Sequence, residues 1–148
     1  YIYEDKDRNL WIANNNCLNL YNRDKDYFER YYINNDPQNK SIIYHLFEDS
    51  RKNFWIGTSN GLIKFDGKNR IFQQLLPEFK DNLSIRTITE DKNGILWMGG
   101  DNEEVGLIKF DGIKVLQIFK TDSKKQNSLS SNYIYSLAAD KYYNIWIG

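Results

Sequence analysis

The 148-residue chain is long enough for one ordinary domain with a sizeable core. Twenty Lys and Arg balance twenty Asp and Glu, and neither sign forms a block, which argues against nucleic acid or an anionic membrane as partner. A single cysteine, Cys17, excludes an internal disulfide framework and a cysteine-based zinc cluster, and no apolar run approaches the roughly 20 residues that span a bilayer.

Taken in chain order, the first unit opens on a strand near 1–4, passes through Asp5 to Trp11 in DKDRNLWIA, and closes on a strand near 27–32. Its opening YIYEDKDRNLW lacks the charged and apolar regions of a signal peptide, so for an exported protein the signal is expected outside this chain. The second unit has strands near 42–48, 54–58, 62–65 and 70–75, with Asp49 and Trp55 in DSRKNFWIG. The third repeats these near 84–90, 95–99, 106–110 and 114–119, with Asp91 and Trp97 in DKNGILWMG. A partial fourth begins near 132 and contains Asp140 and Trp146 in DKYYNIWIG.

The four tryptophans are separated by 44, 42 and 49 residues, and each follows its aspartate by six. The heptapeptide GLIKFDG occurs at both 61–67 and 106–112, and in worn form at Cys17 to Asn22. A period of 40 to 50 with four short apolar runs per unit, bounded by Asp, Asn and Gly and lacking 3.6-residue periodicity, predicts a β-propeller of four-stranded antiparallel blades. The blades are expected at about 1–33, 42–76 and 84–120, with a partial blade at 132–148. Aromatics at 16% suit pleated surfaces.

Within a unit, Asp to Trp forms the hairpin between strands a and b, where Asp and Asn side chains bond the turn backbone. In strand b the Trp shares a face with the residue two along, Ala13, Gly57, Gly99 or Gly148, and a small residue there lets the neighbouring sheet approach. Leu10 and Ile12, or Phe54 and Ile56, occupy the other face, so the strand is expected to be buried on both sides.

Leu129 to Leu137 with Asp140 and Asn144 to Gly148, and Glu48-Asp49 through Trp55 to Asp66, resemble the two-component regulator propeller repeat. The resemblance covers nearly the whole chain. It implies the periplasmic sensor region of a hybrid two-component histidine kinase, in which seven-bladed propellers detect oligosaccharides. Cys17 in place of the strand c glycine, Ala13 in place of Gly, and Ile95 where other units have Asn9, Asn53 and Asn144 depart from the pattern and read as divergent blades of one natural ring. Because rings take roughly four to eight blades, three and a half units read as part of a longer propeller.

Ligands are expected at the loops on one face, formed by the d–a and b–c connections. Tyr44, Arg86 and Tyr135 stand five residues before the repeat aspartate, at the start of strand a. Aromatic faces and a guanidinium there suit a sugar ring or a uronate carboxylate, and ordinary blade-to-blade packing is the alternative. The third unit inserts three residues between strands b and c, giving Asp101, Asn102, Glu103 and Glu104, an acidic loop that could bond hydroxyls, hold calcium or merely extend the surface. The d–a connections at 34–41, 77–84 and 121–132 are further candidate contact surface. His45, the only histidine, either faces the central channel or is satisfied by a neighbouring blade.

With one histidine and no phosphate-binding glycine loop, the expectation is a non-enzymatic region without a cofactor, metal or catalytic residue. The leading reading is an oligosaccharide sensor that signals through rearrangement or homodimerisation of domains outside this chain, with the remaining blades and downstream signalling domains as partners. A protein-binding or spacer propeller is the second reading, and a propeller lyase similar to the streptogramin lyases the third.

Overall fold

The structure, a computed structural model, describes residues 1–34, 41–79, 83–103 and 105–148. Three antiparallel meanders follow one another along the chain. The first comprises β1 (Ile2–Glu4), β2 (Leu10–Asn14), β3 (Cys17–Asn22) and β4 (Tyr27–Tyr32). The second comprises β5 (Ile43–Glu48), β6 (Phe54–Thr58), β7 (Gly61–Asp66) and β8 (Ile71–Leu75). The third comprises β9 (Thr87–Glu90), β10 (Leu96–Gly99), β11 (Leu107–Phe110) and β12 (Val115–Phe119), and a hairpin of β13 (Leu137–Ala139) and β14 (Ile145–Ile147) begins a fourth. Helical structure among the described residues is confined to one 3₁₀ turn, Pro77–Phe79. The architecture is all-β, a partial propeller of four-stranded blades.

The blades pack on one another through their first strands: β5 lies against β1 and β2, β9 against β5, and β13 against β9 and β10. Two apolar cores result, and both lie between blades. One joins Trp11, Leu18, Ile43, Phe54, Ile56 and Phe65; the other joins Trp55, Leu62, Ile85, Leu96, Ile108 and Phe110.

The repeated heptapeptide acquires a part-by-part reading. Its Phe packs edge-on against the tryptophan of the preceding blade, Phe65 at 5.8 Å from Trp11 and Phe110 at 6.1 Å from Trp55. Its Lys projects to the other side, over the tryptophan of its own strand b, Lys64 at 5.4 Å from Trp55 and Lys109 at 5.1 Å from Trp97. Its Asp accepts backbone N–H bonds in the c–d turn, Asp66 from Lys68 and Asn69, and Asp111 from Ile113 and Lys114. The first Gly adopts left-handed backbone, at φ 113° in Gly61 and 73° in Gly106. In the first blade Asn16 takes that conformation (φ 59°), one residue earlier, so Cys17 is tolerated at the glycine position.

The a–b hairpin is closed by its aspartate in every unit. Asp49 Oδ1 accepts the N–H groups of Arg51 and Asn53, at 2.9 and 2.8 Å, while Oδ2 accepts Asn53 Nδ2 and Trp55 Nε1, at 2.8 and 2.9 Å. Asp5 and Asp140 repeat the set, and Asp91, facing Ile95, lacks the amide donor. Burial pushes the Asp49 carboxyl upward, but these donors outweigh it and hold the group below the usual carboxylate range.

A second link ties blades together on this side. Glu48 accepts the backbone N–H of Lys6 at 2.7 Å, and Glu90 accepts that of Ser50 at 2.8 Å and its hydroxyl at 2.7 Å. Ala139 occupies the equivalent position before Asp140.

Strand a of the third blade starts at Thr87, later than the expected 84, because the Ile85 N–H bonds Thr58 O of the preceding blade at 2.9 Å. In the fourth unit, Tyr135 and Ser136 likewise leave the ladder before β13 begins.

Candidate functional site at the start of strand a

Three consecutive positions at the start of strand a do different work in each blade. The first is isoleucine: Ile43, Ile85 and Ile134, all buried. It fills the space left by the small residue on strand b of the preceding blade. A Cβ on Gly57 would lie 2.5 Å from Ile85 O, and one on Gly99 would lie 2.5 Å from Ile134 Cβ.

The second position holds Tyr44, Arg86 and Tyr135, and the backbone bulges there. Tyr44 has no partner in the β5–β6 register, which slips between Ile43 and His45. Arg86 N–H bonds Gly99 O at 2.8 Å while Thr87 is already paired with Gly99. Tyr135 and Ser136 place successive N–H groups on Gly148 O at 2.8 and 2.9 Å. An extra residue in the strand turns its side chain out of the alternating pattern. The three side chains thereby converge from three blades: the Arg86 guanidinium lies 4.3 Å from the Tyr44 ring centroid and 5.7 Å from that of Tyr135.

Arg86 is also held by Asp101, with Nη2 2.7 Å from Oδ2. That contact raises the arginine further above its ordinary value and lowers the Asp101 carboxyl. Both side chains are about one-third exposed, at 34% and 30%, and Tyr135 is 58% exposed. The b–c insertion of the third blade therefore reaches back over the start of its own strand a. Asn102 lies on the same loop and its carbonyl oxygen accepts the N–H of Val105 at 3.2 Å, while Glu104 lies outside the described residues. Among the described residues no three His, Cys, Asp or Glu side chains are grouped to hold a metal ion.

The third position holds His45, Thr87 and Ser136. His45 Nδ1 accepts the N–H of Ile88 at 3.2 Å, and Thr87 Oγ1 accepts that of Leu137 at 3.0 Å, so each ties its blade to the next. The His45 ring also meets Tyr1 edge-on at 5.0 Å. Burial lowers its pKa to about 4, which keeps the imidazole neutral and its acceptor nitrogen in use. Nδ1 is occupied by that inter-blade bond, and His45 directly follows Tyr44 in the strand.

Of the long d–a connections, 35–40 and 80–82 lie outside the described residues. The third is described: Asn132 Oδ1 accepts the Thr121 N–H at 2.7 Å, and its amide donates to Glu103 O at 2.7 Å, joining that connection to the acidic loop.

Clefts also open at the opposite ends of the blades. One of about 480 Å³ is lined by Asp7, Trp11, Glu48, Lys52, Lys64 and Asp66, and a smaller one of about 160 Å³ by Asp49, Arg51, Trp55 and Asp111. Both lie between blades beside the structural hairpins, and their carboxylates are engaged: Asp7 pairs with Lys52, and Asp49, Asp66 and Asp111 accept turn N–H groups. The start of strand a brings an aromatic face, a cation and a carboxylate together on partly exposed side chains from three blades.

The model of the two component regulator propeller matches residues 37–60, 78–102 and 128–148. Three segments of the chain match the two component regulator propeller repeat. These segments contain the d–a connections, the starts of strand a and the Asp-to-Trp hairpins. Among solved structures, the extracellular domain of a hybrid two component system from B. thetaiotaomicron, BT4673, is 30% identical with a TM-score of 0.86. The match covers 99% of this chain and 20% of that domain. Virginiamycin B lyase from Staphylococcus aureus shares the fold at 18% identity and a TM-score of 0.73, over 99% of this chain and 47% of the lyase. PorZ of the Porphyromonas gingivalis type-IX secretion system does so at 15% and 0.67, over 99% of this chain and 24% of PorZ. No curated protein matches the chain. The chain thus spans about a fifth of the length of the two-component relative.

Repeat alignment points to the Tyr44, Arg86 and Tyr135 positions. It misses the Arg86–Asp101 pair, because Asp101 sits in an insertion that no other blade repeats. The sequence also places isoleucine six residues before the aspartate in three units, and glutamate one residue before it in three.

Proposed function

We propose that this chain is part of the extracytoplasmic sensor region of a hybrid two-component system, where it recognises an oligosaccharide and signals to a histidine kinase outside the chain. The observation that carries this reading is the stack of Arg86 between Tyr44 and Tyr135, with Asp101 beside it. An exposed tyrosine face offers a sugar ring a large, rigid, amphipathic surface. The guanidinium supplies hydrogen-bond donors and the carboxylate acceptors for hydroxyl groups at its rim.

The likeness to an extracellular domain of a hybrid two component system supports the cellular side of the reading, a periplasmic or extracellular location. The blades are locked by shared cores and by strand-to-strand bonds at His45 and Thr87, so ligand-driven change belongs between domains or between copies of the protein. A homodimer of the whole receptor fits that route.

The test uses the full-length receptor with its kinase output measured against a panel of plant and host oligosaccharides. Arg86→Ala and Tyr135→Ala are expected to abolish the response to the active glycan with melting behaviour unchanged. An undiminished response in both variants removes the site from recognition.

A further inference from the structure

The charge state of the stack narrows the class of glycan. A free guanidinium flanked by aromatic rings would suit a uronate or sulfate, because arginine and carboxylate pair with two parallel hydrogen bonds. Arg86 is not free in that sense: Asp101 Oδ2 sits 2.7 Å from Nη2, and the Tyr44 and Tyr135 ring centroids lie 4.3 and 5.7 Å from the guanidinium. The same loop continues into Glu103, whose backbone carbonyl is fixed by Asn132, so the loop is tied in place beside the arginine. A uronate carboxylate brought to this spot would compete with Asp101 for Nη2 and would lie beside that residue's negative charge. A neutral sugar meets no such repulsion and can use the guanidinium N–H groups that Asp101 leaves open.

We infer that the Tyr44–Arg86–Tyr135 site selects uncharged oligosaccharides, and that Asp101 is the residue that rejects uronates. This rests on the sensor reading above. A pair of neighbouring hydroxyls would accept from the outer guanidinium N–H groups and donate to Asp101, while the ring stacks on the exposed face of Tyr135. Asp101 then serves twice: it orients the arginine, and it cancels the charge that would otherwise attract acidic glycans.

The experiment measures binding of matched neutral and uronic tetrasaccharides of gluco, galacto and manno configuration to the intact extracytoplasmic region by calorimetry. Wild type, Asp101→Asn and Arg86→Gln are compared, with thermal unfolding as a folding control. The expectation is a neutral tetrasaccharide bound by wild type, at least tenfold weaker binding of its uronic partner, and a rise of tenfold or more in uronate affinity in Asp101→Asn. Wild-type preference for a uronate, lost in Arg86→Gln, overturns this inference and leaves the sensor reading standing. Equal discrimination in wild type and Asp101→Asn also overturns it. If no tetrasaccharide binds any form, or binding ignores both substitutions, the sensor reading of this site falls as well.

Discussion

Replacing Asp49 with alanine tests how the blades are held together. Asp49 is 4% exposed and its carboxylate serves four donors, one of them the indole N–H of Trp55, a residue 1% exposed. Hydrogen bonds to an ionised acceptor contribute about 1.5–3 kcal/mol each, and an abandoned buried donor costs about 1–3 kcal/mol. The two backbone donors belong to Arg51, which is exposed, and Asn53, which is half-buried, so both can regain water and contribute little to the loss. What remains is the stranded indole and the lost Asn53 amide, together about 3–4 kcal/mol. At Asp91 the amide donor is absent and Trp97 is only half-buried, so Asp91→Ala should cost less, about 1–2 kcal/mol. Urea denaturation of the full-length propeller, followed by tryptophan fluorescence and circular dichroism, compares the two. A cost below about 1 kcal/mol for Asp49→Ala, or a larger cost at Asp91, refutes the reasoning.

Gly57→Ala forces a Cβ to within 2.5 Å of the Ile85 carbonyl oxygen, which is backbone of the next blade; overpacking should cost about 1–3 kcal/mol in the same denaturation assay. Phe110→Ala removes a fully buried ring from the face of Trp55 and should cost about 3–5 kcal/mol, with a red shift of tryptophan emission. His45 is neutral in the fold with a pKa near 4 against an ordinary 6.5, so the unfolded chain binds its proton first. Its contribution to stability is complete above pH 6.5 and declines as pH falls towards about 4; His45→Gln, which keeps an acceptor for Ile88 N–H, should flatten that slope between pH 6.5 and 5 in thermal melts.

The propeller was legible because each blade must present the same surfaces to its neighbours, and that requirement repeats the Asp and Trp at fixed offsets in all four units and the Lys and Phe in the second and third. Local pairing was less legible. Residues 84–86 look like strand by composition, yet Ile85 bonds the preceding blade through Thr58, a preference that no local propensity encodes. At the site, equal spacing from the repeat aspartate identified Tyr44, Arg86 and Tyr135 as equivalent positions, because the bulge recurs wherever strand a leaves its ladder. The pairing of Arg86 with Asp101 was hidden: an insertion unique to one blade carries no periodic signal, and its direction is set by the Asn132 bonds to Glu103 and Thr121. The role of His45 was hidden for a different reason. Its counterpart Thr87 does the same work with a different side chain, so identity alone gave no clue that both accept from the next blade.

The most direct test of the account is a crystal structure of the whole extracytoplasmic region with the oligosaccharide that best activates the receptor. The account predicts a sugar ring stacked on Tyr135, with hydroxyls within hydrogen-bond distance of both Arg86 and Asp101. A glycan bound in the clefts beside the Asp-to-Trp hairpins, or on other blades with the Arg86 stack untouched, would contradict it.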